Sequence, residues 1–566
     1  MSRRSRSTAP DFGAIQYQGV DAIEPGRSQL SLSHVYNADF EFGQLVPCLA
    51  EELVPGDYIR ASASFLGRMN PSIVPFMHEV NFTLFYFFVP YRLVWPKVDQ
   101  SGDDWESYIV GETYDPLTGE FVENTATLPL WDYSIPGNYA KKSLYDYFGF
   151  QPGVVPAVGS RPHSLWLRAY KLVYNEWFRD EDLVPLSEVA ADDEVGFAWS
   201  AWEKDYFTSA RPFQQKGIAP AFPISGFSNA VFEGDIPSVF VKGSSPWNPE
   251  VGVSPGPADV VVDGRVPLTG GTKETPWSAT GQELRTPKTF NTPTNTYGGL
   301  DDNTVDFSNA VTFNVADLRL GVQIQRILER NARAGNRYTE WLQSRYGVSP
   351  RDSRLQRPEY LGFIKSPFVV SEVLQTSGSG ASGTTTPQGT MSGHGLNVTR
   401  QTGVNGYRVE EFGVLLGICR VMPRSMYTSG VHRRAVRNVK EEFYTPELAH
   451  LSEQAILKSE IFVEGDATDQ EIFGFQARYQ EYRARNSIAV GEMRDTLKYW
   501  NLARSFTASP SLNRFFISLY PDENTALKQR AFAVTSQAPF WCAIGHQLDF
   551  NRPMPGLPTP GLMDHF

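Results

Sequence analysis

The chain has 566 residues, of which 41% are hydrophobic and 20% charged, so it can bury a core of substantial size. Its 63 acidic and 51 basic residues give a formal net charge of −12, which argues against a protein that coats nucleic acid over its whole surface. The 47 Gly and 40 Pro exclude a fold of long helices, and an aromatic content of 13% favours strands joined by long, turn-rich loops.

The sequence also argues against membrane insertion and a disulfide framework. No apolar run reaches the roughly 18 residues of a membrane span, and no apolar segment follows the basic N-terminus MSRRSRSTAP, so we expect no signal peptide. Cys48, Cys419 and Cys542 are far apart and odd in number, which predicts buried, reduced thiols.

Residues 1–40 form an N-terminal arm that is basic, polar and predicted to be partly irregular. Arg3, Arg4 and Arg6 lie in its Ser-rich beginning. Two interpretations stay open: the arm is simply disordered, or its arginines contact the phosphates of a nucleic acid.

Residues 41–225 combine predicted strands with a helical insertion. In the stretch HEVNFTLFYFFVPYRLVW, Val80, Phe82 and Leu84 alternate with polar residues, which is typical of a strand with one buried face. From 85 to 89 both faces become apolar, so we expect both to be covered. The stretch LWLRAYKLVYNEWFRDED, from Leu165, has helical spacing.

Residues 226–305 change character, because Gly, Pro, Ser and Thr crowd together there and leave room only for short strands. Insertions of this length are commonly functional surface extensions. We therefore predict a variable protrusion with short strands of its own.

Residues 306–550 contain a second predicted helix, capped by Asn314 and ended by Gly335, followed by further strands. Those strands include SPFVVSEVLQTS, RFFISLY and RAFAVTSQAPFWCAIGHQLDF. Residues 551–566 hold four prolines and predict an extended tail on a surface.

A basic tract follows the predicted buried strand at 414–421, where Pro423 ends the pairing because it has no N–H to donate. We single out Arg433, Arg434 and Arg437, with Tyr427 as a ring on which an unpaired base could stack. Two interpretations stay open: a solvated surface or subunit contact, or a contact with nucleic-acid phosphates.

Catalytic and cofactor motifs are missing from the sequence. The eight histidines are scattered, and no metal-ligand spacing, nucleophile motif or phosphate-binding loop is present. The sequence therefore gives no reason to propose an enzyme, a cofactor or a metal.

Many ordered segments resemble the major capsid protein of microviruses, specifically the gokushovirus branch of small single-stranded-DNA bacteriophages. The segments that carry this resemblance include VMPRSMYTSG, EEFYTPELAHLSEQ, MHEVNFTLFYFFVPYRLVW, LRAYKLVYNEWFRD, DLRLGVQIQRILERNARAGNRY and the tail ending PGLMDHF.

The resemblance implies a mainly β fold, an eight-stranded antiparallel jelly roll with long insertion loops and a few short helices. It further implies a T=1 icosahedral shell of sixty copies around circular single-stranded DNA, with residues 226–305 as a threefold protrusion used in host attachment. The expected partners are the packaged DNA, a small basic DNA-binding protein, a minor pilot protein and a host-surface receptor. The expected location is the virion, assembled in the bacterial cytoplasm.

A second function stays open, since aromatic-rich jelly rolls also form carbohydrate-binding or glycoside-processing proteins. The missing pair of catalytic carboxylates argues against it.

Overall fold

The computed structural model of the chain shows a mainly β protein. It describes residues 26–97, 103–110, 113–115, 120–122, 126–192, 196–220, 315–334, 337–349, 351–374, 391–451 and 453–556, together with four two-residue strands between 221 and 314. The chain divides into two compact units, residues 217–328 and the remainder.

Ten strands of the larger unit form two antiparallel sheets. In chain order they are β1 (Ser28–Ser31), β2 (His34–Phe40), β3 (Val46–Leu53), β4 (Tyr58–Met69), β5 (Val80–Pro90), β6 (Glu359–Pro367), β7 (Val369–Leu374), β8 (Met391–Arg408), β9 (Gly413–Pro423) and β10 (Phe540–Arg552).

One sheet has six strands in the order β1–β10–β4–β8–β7, with β2 pairing with β10 beside β1. The other has four strands in the order β6–β5–β9–β3. Within the described residues the sandwich thus holds more strands than the eight predicted, although its antiparallel, jelly-roll character agrees with the prediction.

The main core lies between the two sheets and follows from strand alternation. Along β4, buried residues such as Ile59, Ala61 and Phe65 alternate with exposed ones, so one side of the strand enters the core. Phe65 stacks on Phe82 of β5, with ring centroids 3.6 Å apart. Aromatic side chains therefore join the two sheets.

The four-stranded sheet is buried on both faces, as the sequence predicted for β5. Its second face packs Phe87, Leu416 and Ile418 against a separate apolar cluster, which includes Leu167 and Tyr170 of a helix. Residues between 91 and 198 therefore cover this sheet from the side opposite the main core.

The helices are few and mostly short. Those in the described residues are Tyr91–Val94, Trp105–Val110, Leu144–Tyr147, Leu165–Val173, Val315–Ala334, Tyr338–Tyr346, Arg514–Ile517 and Pro521–Ala531, with a π-helical turn at Tyr174–Phe178. Helices were predicted at both 165 and 315, but the predicted cap Asn314 and stop Gly335 lie outside the described residues.

One predicted strand is wrong, and two predicted segments, the arm and the tail, overlap with strands of the sandwich. The arm was predicted to extend to residue 40, but β1 and β2 pair with β10 from Ser28 onward. The stretch RFFISLY was predicted as a strand, yet Arg514–Ile517 is helical because the Asn513 side chain accepts hydrogen bonds from the first backbone N–H groups. The predicted tail begins inside β10, which ends at Arg552; residues 557–566 lie outside the described part.

Short strands also occur between 221 and 314, as predicted for the insertion. Phe232–Glu233 pairs with Thr304–Val305, and Val261–Val262 pairs with Val266–Pro267. The predicted bounds of the insertion, 226–305, stay a prediction.

Candidate functional site

The basic tract leaves the four-stranded sheet at Pro423 and is then fixed by two other segments. The backbone N–H of Arg424 donates to the carbonyl of Glu79, and that of Tyr427 donates to Ser487. The N–H of Arg504 in turn donates to the carbonyl of Met426. The bonds with Ser487 and Arg504 hold the tract against residues 477–506, which come later in the chain.

Tyr427 is a core residue. Its side chain is only 2% exposed, its hydroxyl donates to Asp205 Oδ2 at 2.8 Å, and the Phe207 ring meets it edge-on with centroids 5.0 Å apart. Burial, reinforced by the Asp205 carboxylate, raises the pKa of Tyr427 well above its usual value. The subunit itself thus encloses this ring, and stacking of a base on it stays a prediction.

Arg433 is held by a buried carboxylate. Its guanidinium donates to Glu460 Oε1 at 3.0 Å and to the Ala455 carbonyl at 2.7 Å, while Tyr206 donates to Glu460 Oε2. Glu460 is 7% exposed, and burial raises its pKa although Arg433 opposes the shift. Burial disfavours the charge on Arg433, but the Glu460 carboxylate outweighs it and raises the pKa of Arg433.

Arg434 and Arg437 share Glu481, which is only 3% exposed. Arg434 donates from Nε and Nη2 to the Glu481 carbonyl, whereas Arg437 Nη2 lies 3.8 Å from the carboxylate. The Arg437 guanidinium also lies 4.7 Å from the Phe443 ring centroid and 4.8 Å from that of Tyr482. Each ring adds a cation–π contact.

The three arginines thus form an arginine–carboxylate cluster, defined by Arg433, Arg434, Arg437, Glu460 and Glu481. Two buried carboxylates and two backbone carbonyls of the same chain oppose the three guanidinium groups. A cavity of about 130 Å³ adjoins it, which is below the roughly 300 Å³ typical of ligand pockets. The arrangement is suited to holding distant segments together.

Sequence reasoning missed the two carboxylates because they lie far along the chain. Glu460 is 27 residues from Arg433, and no spacing rule links the two. The tract itself contains no carboxylate between Phe412 and Lys440, which made it look uncompensated. Arg3, Arg4 and Arg6 lie outside the described residues.

A second group of arginines lies on the six-stranded sheet and was also missed. Arg60 and Arg68 occupy the exposed side of β4, and Arg400 occupies the same side of β8. The alternation in YIRASASFLGRM could have shown that both β4 arginines point away from the core.

Within the described part of the chain, no three His, Cys, Asp or Glu side chains converge as metal ligands. No described helix is long and apolar enough to cross a bilayer. Cys48, Cys419 and Cys542 are free and buried, as predicted.

The family model described as "Capsid protein (F protein)" matches residues 19–562, which is nearly the whole chain. The chain belongs to this family. It is therefore a structural capsid protein of the microvirus type, and its location is the virion.

Three individual relatives match this chain over nearly their full lengths. Capsid protein VP1 of Bdellovibrio phage phiMH2K is 32% identical over 564 residues, covering 97% of each chain. Capsid protein VP1 of Chlamydia phage 1 is 32% identical over 615 residues, covering 98% of each. Capsid protein VP1 of Spiroplasma virus 4 is 27% identical over 579 residues, covering 95% of each. The predicted resemblance to gokushovirus capsid proteins is confirmed.

Proposed function

We propose that the chain self-assembles into a T=1 icosahedral shell of sixty copies that encloses a circular single-stranded DNA genome. The observation that carries this proposal is the family match over residues 19–562, which includes both sheets of the sandwich and the stretch between them. The three buried, free thiols suit assembly in a reducing host cytoplasm.

Electron microscopy and sedimentation of the expressed full-length protein test this proposal. We expect closed particles of one diameter whose reconstruction contains sixty copies. A protein that stays a small oligomer under all assembly conditions would contradict it. That result would favour the alternative carbohydrate-binding or glycoside-processing protein, which glycan binding would then examine.

DNA enclosure needs local positive charge, because each copy carries a formal charge of −12. We assign this charge in part to Arg3, Arg4 and Arg6 of the arm, and in part to a separate small basic protein. Arg433, Arg434 and Arg437 could contact phosphates only by giving up their partners in the arginine–carboxylate cluster. Breaking a buried arginine–carboxylate pair costs about 3–5 kcal/mol, so we assign Arg433 and Arg437 to subunit structure instead. We assign Arg434 there as well, because the Glu481 carbonyl accepts its hydrogen bonds.

We also propose that residues 226–305 form the threefold protrusion and attach the particle to a host-surface receptor. The proposal is supported by the composition of this stretch, which gives it little apolar surface to bury. Replacing it with a short Gly/Ser linker should leave shell assembly intact, because loop entropy changes slowly with length, and should abolish adsorption to host cells. Normal adsorption by linker-bearing particles would refute the attachment role.

A minor pilot protein is the remaining expected partner.

A further inference from the structure

The two sheets of the sandwich differ in what covers their faces away from the main core. The four-stranded sheet is covered there by the apolar cluster around Leu167 and Tyr170. Among the described residues, none covers the six-stranded sheet on that side: Trp541 of β10 is 43% exposed, Leu66 of β4 is 43% exposed, and Val398 of β8 is 70% exposed. We call this surface the open sheet face.

Strand register places the residues of the open sheet face in rows. Leu396, Arg68 and Trp541 are direct neighbours across three strands, because Arg68 pairs with both of the others. The next two rows on the same side are Val398, Leu66 and Ala543, and then Arg400, Ser64 and Gly545. Arginines, apolar side chains and small residues therefore interleave on one flat surface.

The arginines of this face carry charge that the described residues do not compensate. Within the described part of the chain, neither Arg60, Arg68 nor Arg400 has a carboxylate at ion-pair distance. Arg400 Nη2 donates to the neutral Gln547 Oε1 at 2.8 Å, and the Arg60 guanidinium lies 5.7 Å from the Tyr58 ring centroid.

Carboxylates on the same face do not remove this charge. Asp39 is already bound by Lys142 at 2.8 Å and by the Tyr147 hydroxyl at 2.9 Å. Asp549 lies opposite Arg60 in the register but forms no ion pair with it among the described residues. The open sheet face therefore has a net positive charge available to a partner.

Small residues leave two shallow depressions in this face. One, of about 440 Å³, is lined by His34, Ser64, Arg400, Gly545 and Gln547 among others. The second, of about 480 Å³, is lined by Leu66, Arg68, Trp541 and Ala543 among others. Each combines one arginine with apolar or small residues, a pattern that can take a base beside a phosphate.

We propose that the open sheet face binds the packaged single-stranded DNA, so that this side of the sandwich is turned toward the particle interior. Guanidinium groups bind phosphates, and the exposed indole of Trp541 offers a stacking surface for any base. Arg60 and Arg68 are eight residues apart on one strand, so they mark a path of about 26 Å. This inference rests on the proposed function, since it takes the packaged genome as its ligand.

A second copy of the chain that presented the same face would fit less well. Two such faces in a symmetric contact would bring unpaired arginines toward one another, which is unfavourable without intervening carboxylates. Contact between copies is therefore the alternative that the experiment must detect.

The test replaces Arg60, Arg68 and Arg400 together by Gln. The matched control replaces three exposed arginines elsewhere, Arg351, Arg354 and Arg494, by Gln, which removes the same charge. A second variant carries Lys at positions 60, 68 and 400 and so keeps the charge. The readouts are shell formation by microscopy, nuclease-protected DNA per shell, and binding of a thymine oligonucleotide by purified subunits at several salt concentrations.

We expect the Gln variant to form normal shells that retain clearly less DNA. Its subunits should bind the oligonucleotide roughly tenfold more weakly, with a salt slope lower by about 2, since each single-strand phosphate contact contributes about 0.7 to that slope. The control and the Lys variant should stay close to the wild type. Replacing Trp541 by Leu should weaken binding without changing the salt slope.

Two results would overturn the inference. One is normal filling and an unchanged salt slope in the Gln variant. The other is loss of shells in that variant while the control assembles, because the face would then be a contact between copies. If the wild-type chain forms no shells, the proposed function fails, and the oligonucleotide measurements still decide the inference separately.

Discussion

The arginine–carboxylate cluster and the open sheet face show that arginine density and arginine availability are different properties. Arg433, Arg434 and Arg437 lie within five residues of the sequence, yet each is engaged within the subunit. Buried carboxylates lie beside Arg433 and Arg437, and a backbone carbonyl accepts from Arg434. Arg60 and Arg68 are spread along one strand and keep their guanidinium groups accessible. A nucleic acid can use only the second kind of charge without breaking the subunit's own contacts.

Replacing one arginine in each region should give the largest difference in the free energy of unfolding between the two regions. Replacing Arg433 by Gln should lower the free energy of unfolding by about 3 kcal/mol, because Glu460 would stay buried without its partner. Replacing Arg68 by Gln should change it by less than about 0.5 kcal/mol, as expected for an exposed side chain. Urea unfolding of the purified subunits measures both changes in free energy. Equal changes would contradict the proposed difference between the two regions.

Replacing one aromatic residue in each region should give a smaller difference in the free energy of unfolding. Replacing Tyr427 by Phe should lower the free energy of unfolding by about 1–2 kcal/mol, since the Asp205 carboxylate loses a buried donor. Replacing Trp541 by Phe should have little effect on stability, because the side chain is 43% exposed and Phe keeps an aromatic ring at this position. Thermal unfolding at neutral pH checks both, and a stable Tyr427→Phe protein would show that this hydroxyl contributes little.

The smallest expected effect concerns His432, beside the cluster. Burial, Arg434 and Arg485 lower the pKa of His432 below its usual 6.5. The unfolded chain therefore binds the proton more readily, so this residue makes stability fall as pH drops below about 6.5. In a His432→Asn variant, which keeps an acceptor for the Arg434 N–H, the decline in unfolding free energy between pH 7.5 and 5.5 should be shallower. An identical pH profile in both proteins would rule out this contribution.

Local sequence patterns predicted the parts of the fold that depend on local periodicity. The doubly buried β5 and the helix from Leu165 follow from apolar spacing alone. The strands β1 and β2 were missed because they lie at a sheet edge and expose polar side chains, so their apolar alternation is weak. At RFFISLY, the Asn513 cap determined the local structure despite a strand-like composition.

The candidate site was less predictable for a physical reason. Arg433 and Arg437 were correctly singled out as a concentration of charge, but Glu460 and Glu481 reach them only through the tertiary fold. Tyr427 looked like an accessible ring because nothing local shows that Asp205 and Phe207 will enclose it. Whether a charge is compensated depends on residues that are distant in the sequence, so it cannot be read from a single sequence.

The position of β10 has a consequence for how the chain is synthesised. This strand, Phe540–Arg552, lies between β4 on one side and β1 and β2 on the other, although it comes last from the ribosome. Until it emerges, both neighbouring segments lack their backbone partners, and the core residues Ile544 and Leu548 are missing. Contacts between such distant parts of a chain form slowly. A nascent chain therefore cannot complete its six-stranded sheet before β10 emerges, and products terminated before β10 lack the strand that joins the N-terminal segment to the rest of the sheet.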